Sequence, residues 1–247
     1  MKYKFKKNKN LFKKMPFVYR FITYVLRYLR SYTFDKSSFI IKSENRDDIF
    51  KSIYNSNFWE SEESKSGGGF TIASTLTIRS KLPLLIKQYN INSILDIPCG
   101  DYNWMKQVDL SLFYTGADIV DDLISENNER FATDKVKFVT LDITKDNLPT
   151  VDLIFCKDLF QHLSYEDVFS AINSIKNSNS KYLLTTSYPL TIRNYDILSG
   201  DYRALNLMKN PFYFTKPLFE ITEKFNYNLI NVEPDKTMYL FEVKKLP

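Results

Sequence analysis

The chain has 247 residues and 44% hydrophobic content, enough for one large domain, or a domain with an appendage, and a sizeable core. Its net charge of +5 is uneven: residues 1–34 hold ten Lys or Arg and no acid, which leaves 24 basic against 29 acidic residues in the other 213. That distribution excludes the domain-wide basic face of a nucleic-acid binder, and two cysteines with one His exclude a zinc-type cluster.

Residues 1–35 read as a basic amphipathic segment. After a Lys-rich start, Phe17, Phe21, Val25, Tyr28, Leu29 and Tyr32 recur at helical spacing from Pro16 to Tyr32. Arg20, Arg27 and Arg30 interrupt the apolar face, so no uncharged run is long enough to span a bilayer. No small-residue cleavage site follows, which argues against a signal peptide. Two readings stay open: a helix lying on an anionic membrane surface, or one docked on its own domain or on a partner. Cys99 and Cys156 sit in apolar stretches and read as reduced core thiols. The expected location is the cytoplasm, with peripheral contact to the inner membrane face if the arm binds there.

Residues 36–247 read as one domain, a helical lid with a Gly-rich loop over 36–90 and a core over 91–247. Residues 35–66 suggest a helix and then a loop, and Ser66-Gly67-Gly68-Gly69 holds half of the six glycines. Helical spacing runs from Thr71 to about Leu85, with Pro83 marking a break. Apolar runs then predict strands at Ile91–Ile97, Phe113–Ile119, Val136–Leu141, Val151–Cys156 and Lys181–Thr186. Helices are predicted at Asp121–Phe131 and Tyr165–Lys176. Tyr227–Val232 and Met238–Val243 read as a hairpin across Pro234-Asp235-Lys236. Strands alternating with helices predict a Rossmann-like, doubly wound, mostly parallel seven-stranded sheet, with an antiparallel hairpin at its C-terminal end.

Three of these strands end in a carboxylate: Asp96, Asp118 and Asp142. Ligands of open α/β sheets bind outside the carboxyl ends of the strands. Asp118 follows Asp96 by 22 residues, the interval at which an acid grips a ribose diol in dinucleotide folds. Asp142 lies 24 residues further on, placed to accept from an adenine amino group, with the Ile143 N–H serving the ring nitrogen. The turn after the first strand has only Gly100 and lacks the three glycines of a pyrophosphate cradle. A nucleoside site without that cradle points to S-adenosylmethionine.

The residues that carry a family resemblance are Asp96-Ile-Pro-Cys-Gly-Asp-Tyr-Asn-Trp-Met105, the Ser-Gly-rich loop before it, Cys156-Lys-Asp-Leu-Phe-Gln-His-Leu163, and the segment Asn194 to Leu207. Over about Trp59 to Leu207 the chain resembles a class I S-adenosylmethionine-dependent methyltransferase. More narrowly, it resembles a bacterial subfamily marked by Asp-x-Pro-Cys-Gly-Asp-x-x-Trp-Met. Pro98 and Tyr102 stand where the wider superfamily has glycines. The resemblance implies that Asp96 and Gly100 face the methionine end, Asp118 with Ile119 the ribose, and Asp142 with Ile143 the adenine. It also implies that residues 66–69, Gly68 among them, close over the cofactor, and that Trp104 packs beside it or in the core. The implied acceptor is a small molecule or glycan, such as a sugar or a small phosphorylated precursor of a surface polysaccharide.

Methyl transfer needs an aligned acceptor and, for an alcohol, a base. Asp158 and His162 follow the fourth strand at the mouth of the same crevice, and His is the side chain best suited to take a proton near pH 7. His162 is the candidate base and Asp158 its orienter or an acceptor-binding group. Arg193, Asn194, Asp201, Arg203 and Asn206 crowd one loop and suit an anionic, polyhydroxylated acceptor. The competing functions are an NAD-dependent sugar-modifying oxidoreductase and a non-catalytic membrane-associated scaffold. The missing Gly-x-Gly-x-x-Gly and the intact strand-end carboxylates weigh against them.

Overall fold

The computed structural model describes residues 16–36, 41, 43, 45–223 and 233–247. Among these residues, seven strands form one sheet in the order β3-β2-β1-β4-β5-β7-β6. Strands β1 (Ser93–Asp96), β2 (Phe113–Asp118), β3 (Val136–Thr140), β4 (Leu153–Cys156) and β5 (Tyr182–Ser187) pair in parallel. Strand β7 (Thr237–Glu242) runs antiparallel between β5 and β6 (Phe219–Thr222). The apolar runs form these strands because both faces of the sheet are covered, and parallel strands so buried carry near-continuous Val, Ile, Leu and Phe. Leu95, Ile97, Ile154, Cys156 and Leu183 pack on one side with α5 (Tyr165–Asn177). Ile94, Leu153, Phe155 and Leu184 pack on the other with α3 (Leu76–Gln88).

The order of the strands reverses direction at β1, between β2 on one side and β4 on the other. That reversal opens a crevice at the carboxyl ends of the strands. Helices α4 (Asp121–Phe131) and α5 start beside it, α5 capped by the Ser164 hydroxyl, which accepts from Asp167 N at 3.1 Å. Helix α2 (Arg46–Asn55) is capped by Asn45 and tied to the crevice by Arg46, which pairs with Asp142 at 3.0 Å and Asp167 at 2.6 Å.

Two predicted elements differ. Pro83 does not break its helix: α3 runs through it to Gln88, with Leu82 and Leu85 fully buried on either side. The lost hydrogen bond is one of many, and packing outweighs it. The partner of β7 is Phe219–Thr222, whereas the strand expected at Tyr227–Val232 lies outside the described residues.

The segment before the domain is helix α1 (Pro16–Thr33), and it docks on the domain. Arg27 reaches Glu233 at 2.9 Å and Asp235 at 2.8 Å and lies over the Tyr188 ring, while Arg20 donates to the Pro234 carbonyl. Among the described residues, no helix is long and apolar enough to cross a membrane.

Candidate active site

The crevice is a cavity of about 970 Å³. One end is built from the turns after β1, β2 and β3. Ile97, Pro98, Gly100, Asp118, Ile119, Asp142 and Ile143 all line it, and loop 65–70 covers it. Gly100 takes a left-handed φ of +56°, a conformation open to Gly at little cost. Its N–H donates to Asp118 Oδ2 at 3.2 Å, and Val120 N donates to Oδ1 at 3.2 Å. The Ile119 N–H also acts on the carboxyl, which leaves it one acceptor site over among the described residues. The carboxyl is buried, which pushes its pKa up to about 6 against the pull of the backbone N–H groups. A buried carboxylate with an acceptor site to spare fits a hydroxyl donor such as that of a ribose.

The loop above is pinned by its serines. Ser66 Oγ accepts from Asp101 N at 3.1 Å, and Ser64 donates to Asp101 Oδ1 at 3.1 Å. Gly69 must be glycine, because a Cβ there would meet Asp158 Oδ2 at 2.6 Å. Gly68 lines the cavity beside it.

Two assigned carboxylates are otherwise employed. Asp96 is not among the lining residues: its carboxyl accepts from the Tyr114 hydroxyl at 2.6 Å behind the cavity wall, and burial raises its pKa to about 8. It is protonated at neutral pH, which is unsuited to gripping an ammonium. Asp142 lines the cavity, but Oδ1 takes the Thr144 N–H and hydroxyl while Oδ2 takes Arg46, with Lys145 at 3.5 Å. Its lone pairs are filled, so an adenine amino group finds little there. Trp104 is buried against Phe155, in the core and off the cavity.

The other end gathers residues from distant parts of the chain: Asp158, Gln161 and His162 after β4, Tyr188 after β5, Tyr202, then Glu233 and Lys236 before β7. Tyr19 of α1 adds to the wall. The His162 Nδ1–H donates to the Asp201 carbonyl at 2.8 Å, so Nε2 carries the lone pair. The ring lies between Trp59, with centroids 4.7 Å apart, and Tyr202, at 5.5 Å. Burial drives its pKa down to about 4, well below the neutral range that the residue type suggests. His162 is therefore neutral at pH 7, an acceptor in the right tautomer but a weak base.

Asp158 does not orient His162; the Asp201 carbonyl does. Asp158 instead accepts from Lys157 at 2.5 Å, from Lys236, from Gln161 at 3.1 Å and from Thr186 at 3.1 Å. Burial raises its pKa, but the two ammonium groups outweigh this and hold it well below the carboxylate range. Lys157 is fully buried, and burial lowers its pKa; Lys236 is raised because Asp158 and Glu223 outweigh burial. Lys157, Gln161, Glu233 and Lys236 escape sequence reading. A lone Lys or Gln reads as surface, and Lys236 reads as part of a hairpin turn. Gln161 is notable because Nε2 is held by Asp158, its buried Oε1 has no partner among the described residues, and the residue lines the cavity.

The loop residues assigned to the acceptor are structural. Asn194 donates to the Asn206 and Asn210 carbonyls, and Asn206 to that of Thr191, so the two amides clamp the loop. Arg203 is 1% exposed and donates to the Leu163 carbonyl. Arg193 stacks on Tyr32 of α1, 4.1 Å from its centroid. Asp201 serves through its backbone carbonyl, while its side chain accepts from Tyr202 N at 2.7 Å. Amides and guanidiniums on a polar loop look alike in sequence whether they hold a ligand or the backbone.

No protein-family model matches the chain, and no curated protein does. Among solved structures, N-methyltransferase NodS from Bradyrhizobium japonicum WM9 in complex with S-adenosyl-L-homocysteine is similar. It has a TM-score of 0.53 at 10% identity, over 77% of this chain and 97% of that one. A second NodS structure gives 0.50 at 14% identity, over 67% and 93%. The methyltransferase domain of bacterial CtHen1 gives 0.41 at 12%, over 46% of this chain, which spans just under two thirds (66%) of that domain. At such identities the likeness lies in the fold, and with its seven-stranded mixed sheet and flanking helices the chain has the Rossmann-like methyltransferase fold.

Proposed function

We propose that the protein is an S-adenosylmethionine-dependent methyltransferase whose acceptor is a hydroxyl of a polyhydroxylated molecule, a sugar of a surface polysaccharide or its precursor. The observation that carries the reading is Asp118, a buried carboxylate with an acceptor site to spare, lining a cavity whose far end holds a neutral imidazole. Asp118 would hold the ribose, Gly100, Ile119 and Ile143 would wall the nucleoside, and loop 66–69 would cover it. S-adenosylmethionine supplies an electrophilic methyl group when bound.

The chain's own part is alignment and proton handling. His162 Nε2 and the unpartnered Gln161 Oε1 are two neutral acceptors on one short segment, a fit for a donor such as a hydroxyl. As the hydroxyl gives up its proton, Nε2 receives it, and the Asp201 carbonyl keeps the ring turned by holding Nδ1–H. Lys157 and Lys236 are each engaged by Asp158 and face Glu223, so neither ammonium is spare for a phosphate. That favours a neutral sugar hydroxyl over a phosphorylated group as the part nearest His162.

Calorimetry with S-adenosylmethionine, S-adenosyl-L-homocysteine and NAD tests the reading. The first two should bind and NAD should not. Asp118→Ala should weaken both by about 1.5–3 kcal/mol, the range for a hydrogen bond to a charged group. Equal affinity in a folded Asp118→Ala protein would remove the residue from the site, and NAD binding would favour an oxidoreductase.

A further inference from the structure

One side of α1 is apolar and largely exposed, touched by the domain only at its C-terminal end, where Arg193 meets Tyr32. Phe17 is 80% exposed, Phe21 59%, Leu29 55% and Tyr32 58%. Residues 17, 21, 28 and 32 fall on one stripe of the helix, and Tyr28 and Tyr32 sit edge to face with hydroxyls 3.0 Å apart. The opposite side is fixed. Arg27, its side chain 11% exposed, is held by Glu233 and Asp235, and Tyr19 enters the cavity wall. The helix is thus anchored by one face with the other left largely exposed.

Cations border the stripe. Arg193 stacks on Tyr32, and Arg20, one turn from the stripe, is exposed beside Phe17 and Phe21 in the helix. The sequence ahead of the helix adds seven Lys and no acid over residues 1–15. We propose that this face of α1 seats the protein on the surface of an anionic lipid bilayer. Phe, Leu and Tyr would enter the headgroup boundary while Lys and Arg meet the lipid phosphates, the division of labour of an interfacial helix. Charge decides against a second copy as the occupant. Two α1 faces packed about a two-fold axis would bring together two acid-free segments of ten cations each. The docked helix and the membrane helix, alternatives in sequence, become the two sides of one element.

Co-sedimentation of the full chain with vesicles tests this, using phosphatidylcholine alone and phosphatidylcholine mixed with phosphatidylglycerol, each at low and high salt. The protein should bind only the anionic vesicles, and salt should weaken binding. The triple variant Phe17→Ser, Phe21→Ser, Leu29→Ser should bind them at least about tenfold more weakly, with an unchanged heat-unfolding curve, because the lost area is apolar surface exposed in the free protein. Failure of the wild type to bind anionic vesicles overturns the proposal. So does equal binding by the triple variant, which would mean that charge alone acts. A wild-type dimer in light scattering that the variant converts to monomer also overturns it, by giving the face to a second copy. Should the triple variant unfold, Phe17→Ser alone at the most exposed position should still weaken binding severalfold, and unchanged affinity there counts against the proposal.

Discussion

His162 shows how far a residue's surroundings can carry it from its usual chemistry. Removed from water, the imidazolium loses its hydration, and the pKa falls to about 4. Wild-type turnover should then show no ionisation of this residue between pH 6 and 7, and should drop only as pH approaches 4. His162→Ala should lower turnover by roughly 10²-fold, the low end of a positioned base's worth because its pKa lies well below the working pH, with cofactor affinity nearly unchanged. A pH–rate profile of both proteins decides; an ionisation near 6.5 that His162→Ala removes would contradict the neutral, buried state. The place of His162 beside the crevice is legible in sequence, because one His four residues past an Asp at a strand end stands out. Its pKa is not, since burial by Trp59 and Tyr202 comes from residues 103 positions before and 40 after it. The same holds for Asp158: sequence offers a carboxylate beside a His, and only the fold reveals that two lysines claim it.

At the scale of elements, the strands and helices of the sheet are legible because each carries its own periodicity and caps. Strands β2 to β5 and helices α4 and α5 lie within two residues of their expected bounds. Strand β6 is not legible, for Phe219-Glu-Ile-Thr is four residues long and half exposed, and it becomes a strand by pairing with β7. The attachment of α1 is likewise invisible in sequence, since Arg27 is one of ten cations there and its partners stand over 200 residues away. Arg27→Ala should destabilise the protein by about 2–4 kcal/mol, a little below the cost of breaking a fully buried pair because Glu233 is partly exposed. Asp235, its side chain 0% exposed, would lose its only guanidinium partner among the described residues. Urea titration gives the stability. Hydrogen exchange along α1 should rise by more than in α5, and equal protection in both proteins would show that the helix is held by other contacts.

For the whole molecule, buried carboxylates set the response to alkali. Asp96 holds its proton in the folded state up to about pH 8, whereas in the unfolded chain it releases it near 3.8. The folded state therefore binds more protons between these values, so this contribution is full below 3.8 and is lost as pH rises through 8. Asp118 acts alike up to about 6. His162 acts oppositely: its folded pKa of about 4 lies below the ordinary 6.5, so stability gains as pH climbs from 4 to 6.5 and is flat beyond. From pH 6.5 to 8 the Asp96 loss stands without that counterweight, at up to about 1.4 kcal/mol per pH unit. Urea midpoints over this interval should fall in the wild type and fall less in Asp96→Asn, which keeps an oxygen to accept from Tyr114; parallel slopes would deny Asp96 its raised pKa. The two ends of the cavity, finally, are drawn from different parts of the chain. The end around Asp118 comes from residues 97–143 with loop 65–70 and helix α2, the far end from residues 19, 59, 158–162, 188–202 and 233–236. Exchange of residues at the far end leaves Asp118 and its backbone donors in place. On the proposed reading, such a division would let the acceptor pocket be exchanged while the clasp for the methyl donor stays as it is.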